Sequence, residues 1–277
     1  MKICQEHIEA FERHLFQNET AKSTIGVYRT TVADFVKFLD GRDLEKDLVL
    51  EYKSVIMDRN MSSTVNSKIG PLNLFLRFLG YPEMCVKRLR IQRQIYYPEE
   101  KELLYEEYVR LVRTAEAMGN QRIALALQML CATGIRVGEL AYITVEAAKR
   151  GRAIVRNKGK TRIIFIPEAL SEKILRYAQC CGILSGPVIL TSTGRPLDRT
   201  NMWRYMNRLC EAAGIDTEKG HPHALRHLFA ATHYKRNRDP IGLADLLGHS
   251  CLDTTRIYTA TNGKEQIKQL NKLNLVV

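Results

Sequence analysis

The run His223-Ala224-Leu225-Arg226, followed by Leu247-Gly248-His249-Ser250 and then Thr254-Thr255-Arg256-Ile257-Tyr258, decides how this 277-residue chain is read. It places two imidazoles, two arginines and a late tyrosine in the last quarter of a strongly basic protein. Outward from it, a second island lies upstream at Ala132-Thr133-Gly134-Ile135-Arg136-Val137-Gly138-Glu139-Leu140. Together these are the groups needed to attack a DNA phosphodiester with a phenolic oxygen.

Breaking a phosphodiester without a metal builds negative charge on the non-bridging oxygens of a five-coordinate transition state. Arginine suits that charge, because its planar fork donates two hydrogen bonds and never loses its proton. Arg136 and Arg226 are the candidates. His223 and Arg226 are three apart on a predicted helix, so one face carries both toward one phosphate. A lone HxxR is common on solvated helices and gains weight only from its company. Tyr258 is the candidate nucleophile; a phenol with a pKa of about 10 needs cations and a proton acceptor near it. His223 can take that proton, and His249 can hydrogen-bond the phosphate. Lys158, at the tip of a predicted hairpin, can protonate the departing sugar oxygen, with Lys160 two residues on as the alternative.

The charge supports the same partner. Lys+Arg number 42 against 30 Asp+Glu, a net +12, and such a surplus favours a polyanion. It divides unevenly: residues 1–97 carry 15 basic and 12 acidic residues, and residues 98–277 carry 27 and 18. Lys149, Arg150, Arg152, Arg156, Lys158, Lys160 and Arg162 fall within fourteen residues without an acid. No apolar run approaches the roughly 20 residues that span a bilayer, and the first residues lack a signal-peptide core. The expectation is a soluble cytoplasmic protein on the nucleoid, with no membrane partner. The seven scattered cysteines form no CxxC pair and are expected to be reduced thiols.

Apolar periodicity predicts helices over 3–16, 23–39, 47–59 and 62–79, the last opened by the capping segment Ser62-Ser63-Thr64 and kinked or split by Pro71. Gly80-Tyr81-Pro82 ends this helical domain (1–82). A basic linker (83–97) follows, in which Arg88, Arg90 and Arg93 are candidate DNA contacts. A second domain (98–277) opens with helices near 100–118 and 121–132. Two β-branched runs, 153–156 and 161–166, flank a turn at Asn157-Lys158-Gly159-Lys160 and predict a hairpin. On it Arg156, Lys160 and Arg162 are further candidate DNA contacts. Helices at 168–181, 199–213, 223–235, 240–247, 253–260 and 263–273 complete a mainly α chain with a small β-sheet.

Rival chemistries fail on spacing. Gly159-Lys160-Thr161 resembles the tail of a phosphate-binding loop, but the glycine required five residues earlier is Ile154. His223 and His227 have the i,i+4 spacing of metal ligands, with no glutamate between them and Arg226 opposing a cation. Asp239, Asp245 and Asp253 are isolated, so no carboxylate cluster offers a two-metal route. No metal and no cofactor is expected.

The order Arg136, Lys158, His223-x-x-Arg226, His249, Tyr258 resembles the tyrosine recombinases, the phage integrase and Xer-type enzymes. ATGIRVGEL (132–140) is similar to that family's first arginine box and HPHALRHLFAATH (221–233) to its HxxR box. LGHS and TTRIYT match its His and Tyr boxes, and the nine-residue step from His249 to Tyr258 fits. The resemblance covers about 98–277 and implies a mixed, α-rich catalytic domain behind a SAM-like, core-binding helical domain. It implies a covalent 3′-phosphotyrosyl intermediate at Tyr258, with Arg136, His223, Arg226 and His249 on the phosphate and Lys158 as general acid. It also implies that Glu139 supports Arg136 from behind. The implied partners are double-stranded DNA with paired core sites and three further copies of the chain. In that homotetramer a C-terminal segment bearing Ile267, Leu270 and Leu273 docks on its neighbour. The implied activity is site-specific strand exchange, as in Xer-like or mobile-element recombinases. Two other readings are a type IB topoisomerase-like relaxase and a DNA-binding protein that has lost catalysis; the second is disfavoured because every catalytic position is filled.

Overall fold

A computed structural model describes residues 1–91, 102–157, 160–191, 193–248 and 271–273. The chain divides into two compact units, Met1–Arg93 and Gln94–Val277.

The first unit is four helices, α1 (Gln5–Gln17), α2 (Lys22–Leu39), α3 (Lys46–Arg59) and α4 (Ser62–Phe78). Each turns one apolar stripe inward: Ile8, Phe11 and Leu15; Val32, Phe35 and Leu39; Val49, Tyr52 and Ile56; Val65, Ile69, Leu72, Phe75 and Leu76. Phe11 meets Phe75 edge-on with ring centroids 5.2 Å apart. α4 runs unbroken through Pro71. The ring costs one backbone hydrogen bond, and burial of Val65 and Ile69 before it and Leu72, Phe75 and Leu76 after it offsets that cost. The expected serine-threonine cap is absent: Met61 is the N-cap, and no side chain closes the first turn.

The expected linker begins inside this unit. Asn73 donates through Nδ2 to Val86 O (2.8 Å) and accepts at Oδ1 from Val86 N (2.9 Å). Asn66 repeats the pair with Leu89, at 2.9 and 2.7 Å. Lys46 Nζ caps Cys85 O at 2.7 Å, and Lys53 Nζ caps Lys87 O at 2.9 Å. Two asparagine amides thus imitate a neighbouring strand, and the segment 85–89 lies strapped on the helices instead of spanning free. Arg88 and Arg90 are exposed on it, while Arg93 lies outside the described residues.

In the second unit α5 (Tyr105–Ala117) packs against α6 (Gln121–Thr133), which is buried along most of its length and also meets α10 (Pro222–Asn237). A 3-10 turn (Val137–Tyr142) and α7 (Val145–Lys149) lead into the antiparallel hairpin β1 (Arg152–Asn157) and β2 (Lys160–Phe165). Ala153, Val155, Ile164 and Ile166 point into the core, and Ile154, Ile163 and Phe165 point out. α8 (Glu168–Cys180), α9 (Arg199–Ala213) and α11 (Pro240–Leu247) complete the described α-helices, within one residue of the sequence-based bounds for all three. The predicted helices at 253–260 and most of 263–273 lie outside the described residues. Cys4, Cys85, Cys131, Cys180, Cys181 and Cys210 are free thiols. Among the described residues no helix is long and apolar enough to cross a membrane, and no His, Cys, Asp and Glu cluster could hold a metal.

Candidate active site

Three short segments converge around two arginines. α6 ends at Thr133 with Gly134 in the left-handed conformation (φ +63°), and a Cβ there would come within 2.4 Å of the Phe229 ring of α10. Glycine is therefore required both by backbone conformation and by helix packing. The chain then turns immediately into Arg136, the N-cap of the 3-10 turn.

Arg226 grows from α10 into this junction and is 1% exposed. Its Nη1 donates to Gly134 O at 2.5 Å and its Nη2 to Leu247 O at 2.7 Å. Both acceptors lie at helix C-termini, where carbonyls lack helical partners and the macrodipole is negative. A guanidinium is well matched to two such ends. His223 and Arg226 differ in exposure: His223 is exposed near the helix start, and Arg226 is buried one turn on as the tie between two segments.

Glu139 is the second centre, 3% exposed. Its carboxylate accepts from Arg136 N at 2.7 Å and from Arg136 Nη1 at 3.4 Å, and it is clasped from the other side by Arg162 Nη2. The Arg136 side chain remains 47% exposed, so one edge of its guanidinium is held and the rest faces outward. Glu139 thus touches both the backbone and the guanidinium of Arg136.

Arg162 differs from its expected place on the DNA-facing surface. Only 14% of its side chain is exposed, and Nη1 donates to Leu246 O at 2.6 Å. The hairpin register explains why: Val155 pairs with Arg162 and Ala153 with Ile164, so Arg162 shares the inward face with three buried apolar residues. Alternation with Ile164 and Ile166 carried that signal in the sequence, hidden by the surrounding basic run. Arg156, on the opposite parity, is exposed. The side chain of Lys160, together with Lys158, His249 and Tyr258, lies outside the described residues.

α10 starts with His221 as N-cap, Nδ1 accepting from Ala224 N at 3.0 Å, and with Pro222 in the first turn. His223 and His227 stack edge-on at 5.1 Å. Burial, then the charge of Arg226, with smaller pushes from His221, Arg136 and Arg199, hold His223 below the ordinary imidazole value. Burial pushes His227 further, down to about 4. A neutral His223 among arginines can accept a proton at neutral pH. Asp239, read as isolated, caps α11 by accepting from Ile241 N (3.0 Å) and Gly242 N (2.9 Å).

The phage integrase family model matches residues 101–265. The tyrosine recombinase of Pseudothermotoga lettingae is 30% identical over 269 residues, covering 90% of this chain and 91% of that protein. Tyrosine recombinase XerA of Thermococcus kodakarensis is 28% identical, covering all of this chain and 98% of that one. Among solved structures, a lambda integrase dimer bound to a COC′ core site superposes with a TM-score of 0.73 at 19% identity, covering 91% and 76% of the two chains. XerH recombinase bound to its difH substrate gives 0.71 at 18% identity, covering 92% and 81%.

Proposed function

This chain belongs to the phage integrase family and is a tyrosine site-specific recombinase; from that premise we propose how its residues divide the work of cutting and rejoining DNA. The phenolic oxygen of Tyr258 bonds to the scissile phosphorus as the bond to the 5′ oxygen breaks, leaving a 3′-phosphotyrosyl link. The phenol proton passes to His223, and Lys158 gives a proton to the departing 5′ oxygen. Arg136 and His249 hold the charge that builds on the non-bridging oxygens, and Arg226, buried with its Nη atoms on Gly134 O and Leu247 O, adds its positive charge from behind. Attack by a 5′ hydroxyl from a second duplex reverses these steps and completes the exchange. No step uses a metal or a cofactor.

The observation that carries this reading is the backed arginine: a half-exposed Arg136, fixed from behind by buried Glu139, near a His223 whose proton affinity is lowered by burial and by the surrounding cations. A preorganised cation and a deprotonated imidazole are what a phenol nucleophile needs. The duplex is gripped by the helical unit and by exposed basic residues such as Arg88, Arg90 and Arg156. Two paired core sites are brought together by four copies of the chain, each lending its C-terminal segment to a neighbour. In that segment Leu273 is 57% exposed.

The test is covalent trapping on a nicked suicide substrate. Tyr258→Phe should bind DNA with the wild-type affinity and form no adduct; an adduct from that variant would assign the nucleophile elsewhere. Binding should weaken steeply with salt, because several phosphate contacts release counterions. A flat response would remove the duplex grip. No observation favours the relaxase reading.

A further inference from the structure

We infer that Arg162 is a positioning residue for strand cleavage and not a DNA contact: it clamps Glu139, and so Arg136, to the end of α11 that leads into His249. The inference rests on the proposed role of Arg136 at the scissile phosphate.

Arg162 stands on the inward face of β2, where its neighbours Val155, Ile164 and Ile166 are all buried. An apolar side chain would fit that face at lower cost, since a buried ion pair is seldom a net source of stability. The guanidinium is instead spent on two named groups. Nη2 takes the Glu139 oxygen, Oε2, that also accepts from the Arg136 backbone, and Nη1 takes Leu246 O, one residue before the carbonyl that Arg226 takes. Consecutive carbonyls at the end of α11 are thus pinned by two arginines from two different elements. One of these arginines reaches Gly134, two residues before Arg136, and the other reaches Glu139, three residues after it.

Gly248 closes the same clamp. It ends α11 in the left-handed conformation (φ +65°), and a Cβ there would lie 2.6 Å from Arg162 Cδ and 3.1 Å from Nε. The glycine of the LGHS motif therefore makes room for the Arg162 stem as well as turning the chain. A two-point fork explains why the position holds arginine: lysine has one nitrogen, and cannot lie flat against a carboxylate and a carbonyl on separate segments.

A positioning role and a phosphate contact predict opposite results. Arg162→Ala and Arg162→Lys are compared with wild type for equilibrium binding across a salt series and for single-turnover cleavage of a suicide substrate at saturating DNA. The expected result is a cleavage rate lower by about 10²-fold for Arg162→Ala, because small displacements of a catalytic group cost that much. Affinity and salt slope should not change. Arg162→Lys should recover part of the rate. Glu139→Ala combined with Arg162→Ala should cleave no more slowly than either single variant. With a neutral methylphosphonate at the scissile position, which removes the charge that Arg136 meets, the Arg162→Ala deficit should shrink.

A wild-type cleavage rate at saturation with a salt slope smaller by about one would make Arg162 a phosphate contact and overturn the inference. A deficit of the same size on methylphosphonate would make the role one of general stability and overturn it equally. If Arg162→Ala does not fold, Arg162→Lys on the two substrates decides alone. Failure of the wild type to form any adduct would instead sink the proposed function, and with it the positioning role of Arg162.

Discussion

Two segments of this chain are fixed by side chains that capture main-chain groups. Residues 85–89 lie on the helical unit, held by the amides of Asn66 and Asn73 and the ammonium groups of Lys46 and Lys53. The end of α11 in the second unit is held by the guanidiniums of buried Arg226 and largely covered Arg162. Asparagine satisfies a donor and an acceptor together, so it suits a strap that needs only to be kept in place. Arginine satisfies acceptors alone, carries charge indoors and demands a counterion. The chain accepts that cost where the held segment lies next to the residues assigned to the phosphate. The difference separates fastening from the preparation of an electrostatic site.

The largest effect should come from Arg226→Ala, which strips two buried carbonyls of a charged donor and should destabilise the second unit by about 3–5 kcal/mol. Urea unfolding measures it. A loss below about 1 kcal/mol would place the tie between α6 and α11 in apolar packing and erase the contrast.

Gly248→Ala should follow, at about 2–3 kcal/mol, from left-handed strain together with the contact on Arg162. Arg162→Ala in the same background should restore part of that loss. Additive losses would mean that strain alone matters.

Acid should act next. His227 titrates near 4 when folded, against an ordinary 6.5, so the unfolded chain binds more protons between those values. Its contribution is complete above about pH 6.5 and drains as pH falls toward 4, by on the order of 2 kcal/mol. His227→Gln should flatten the fall in urea midpoint between pH 7 and 4.5. An unchanged slope would assign the acid sensitivity to other groups.

The smallest effect belongs to the strap. Asn73→Ala should cost about 1–2 kcal/mol in the first unit and leave cleavage at saturating DNA at the wild-type rate. A cleavage defect there would break the comparison, because the strap would then be more than a fastening.

Much of the secondary structure was legible. Helices at 121–132, 168–181, 199–213 and 240–247 agree with the structure to within a residue, because a 3.6-residue apolar period and end signals such as Gly134 and Gly248 are local properties. The hairpin was legible for the same reason. Within the candidate site, the nearness of Glu139 to Arg136 was legible from their three-residue spacing. The direction of Arg162 was not, because seven basic residues within fourteen concealed the two-residue alternation. Nor was the strap: Asn66 and Asn73 read as polar positions on a helix, and their partners lie 23 and 13 residues away. Pro71 misled in the other direction, since a proline weighs heavily in a local reading and lightly in a helix clamped along its buried side.

The sequence by itself determined the chemical inventory and its order: two arginine boxes, a hairpin lysine, two histidines and a tyrosine, without a carboxylate cluster for metals. Those are properties of residue type and local spacing, readable one segment at a time. Only the tertiary structure decided which arginines face inward. The contacts that settle it join residues 23, 84 and 92 apart in the chain. A guanidinium facing solvent and one buried against a helix end have the same composition and the same local pattern. What distinguishes them is which carbonyls and carboxylates the fold brings within hydrogen-bonding distance.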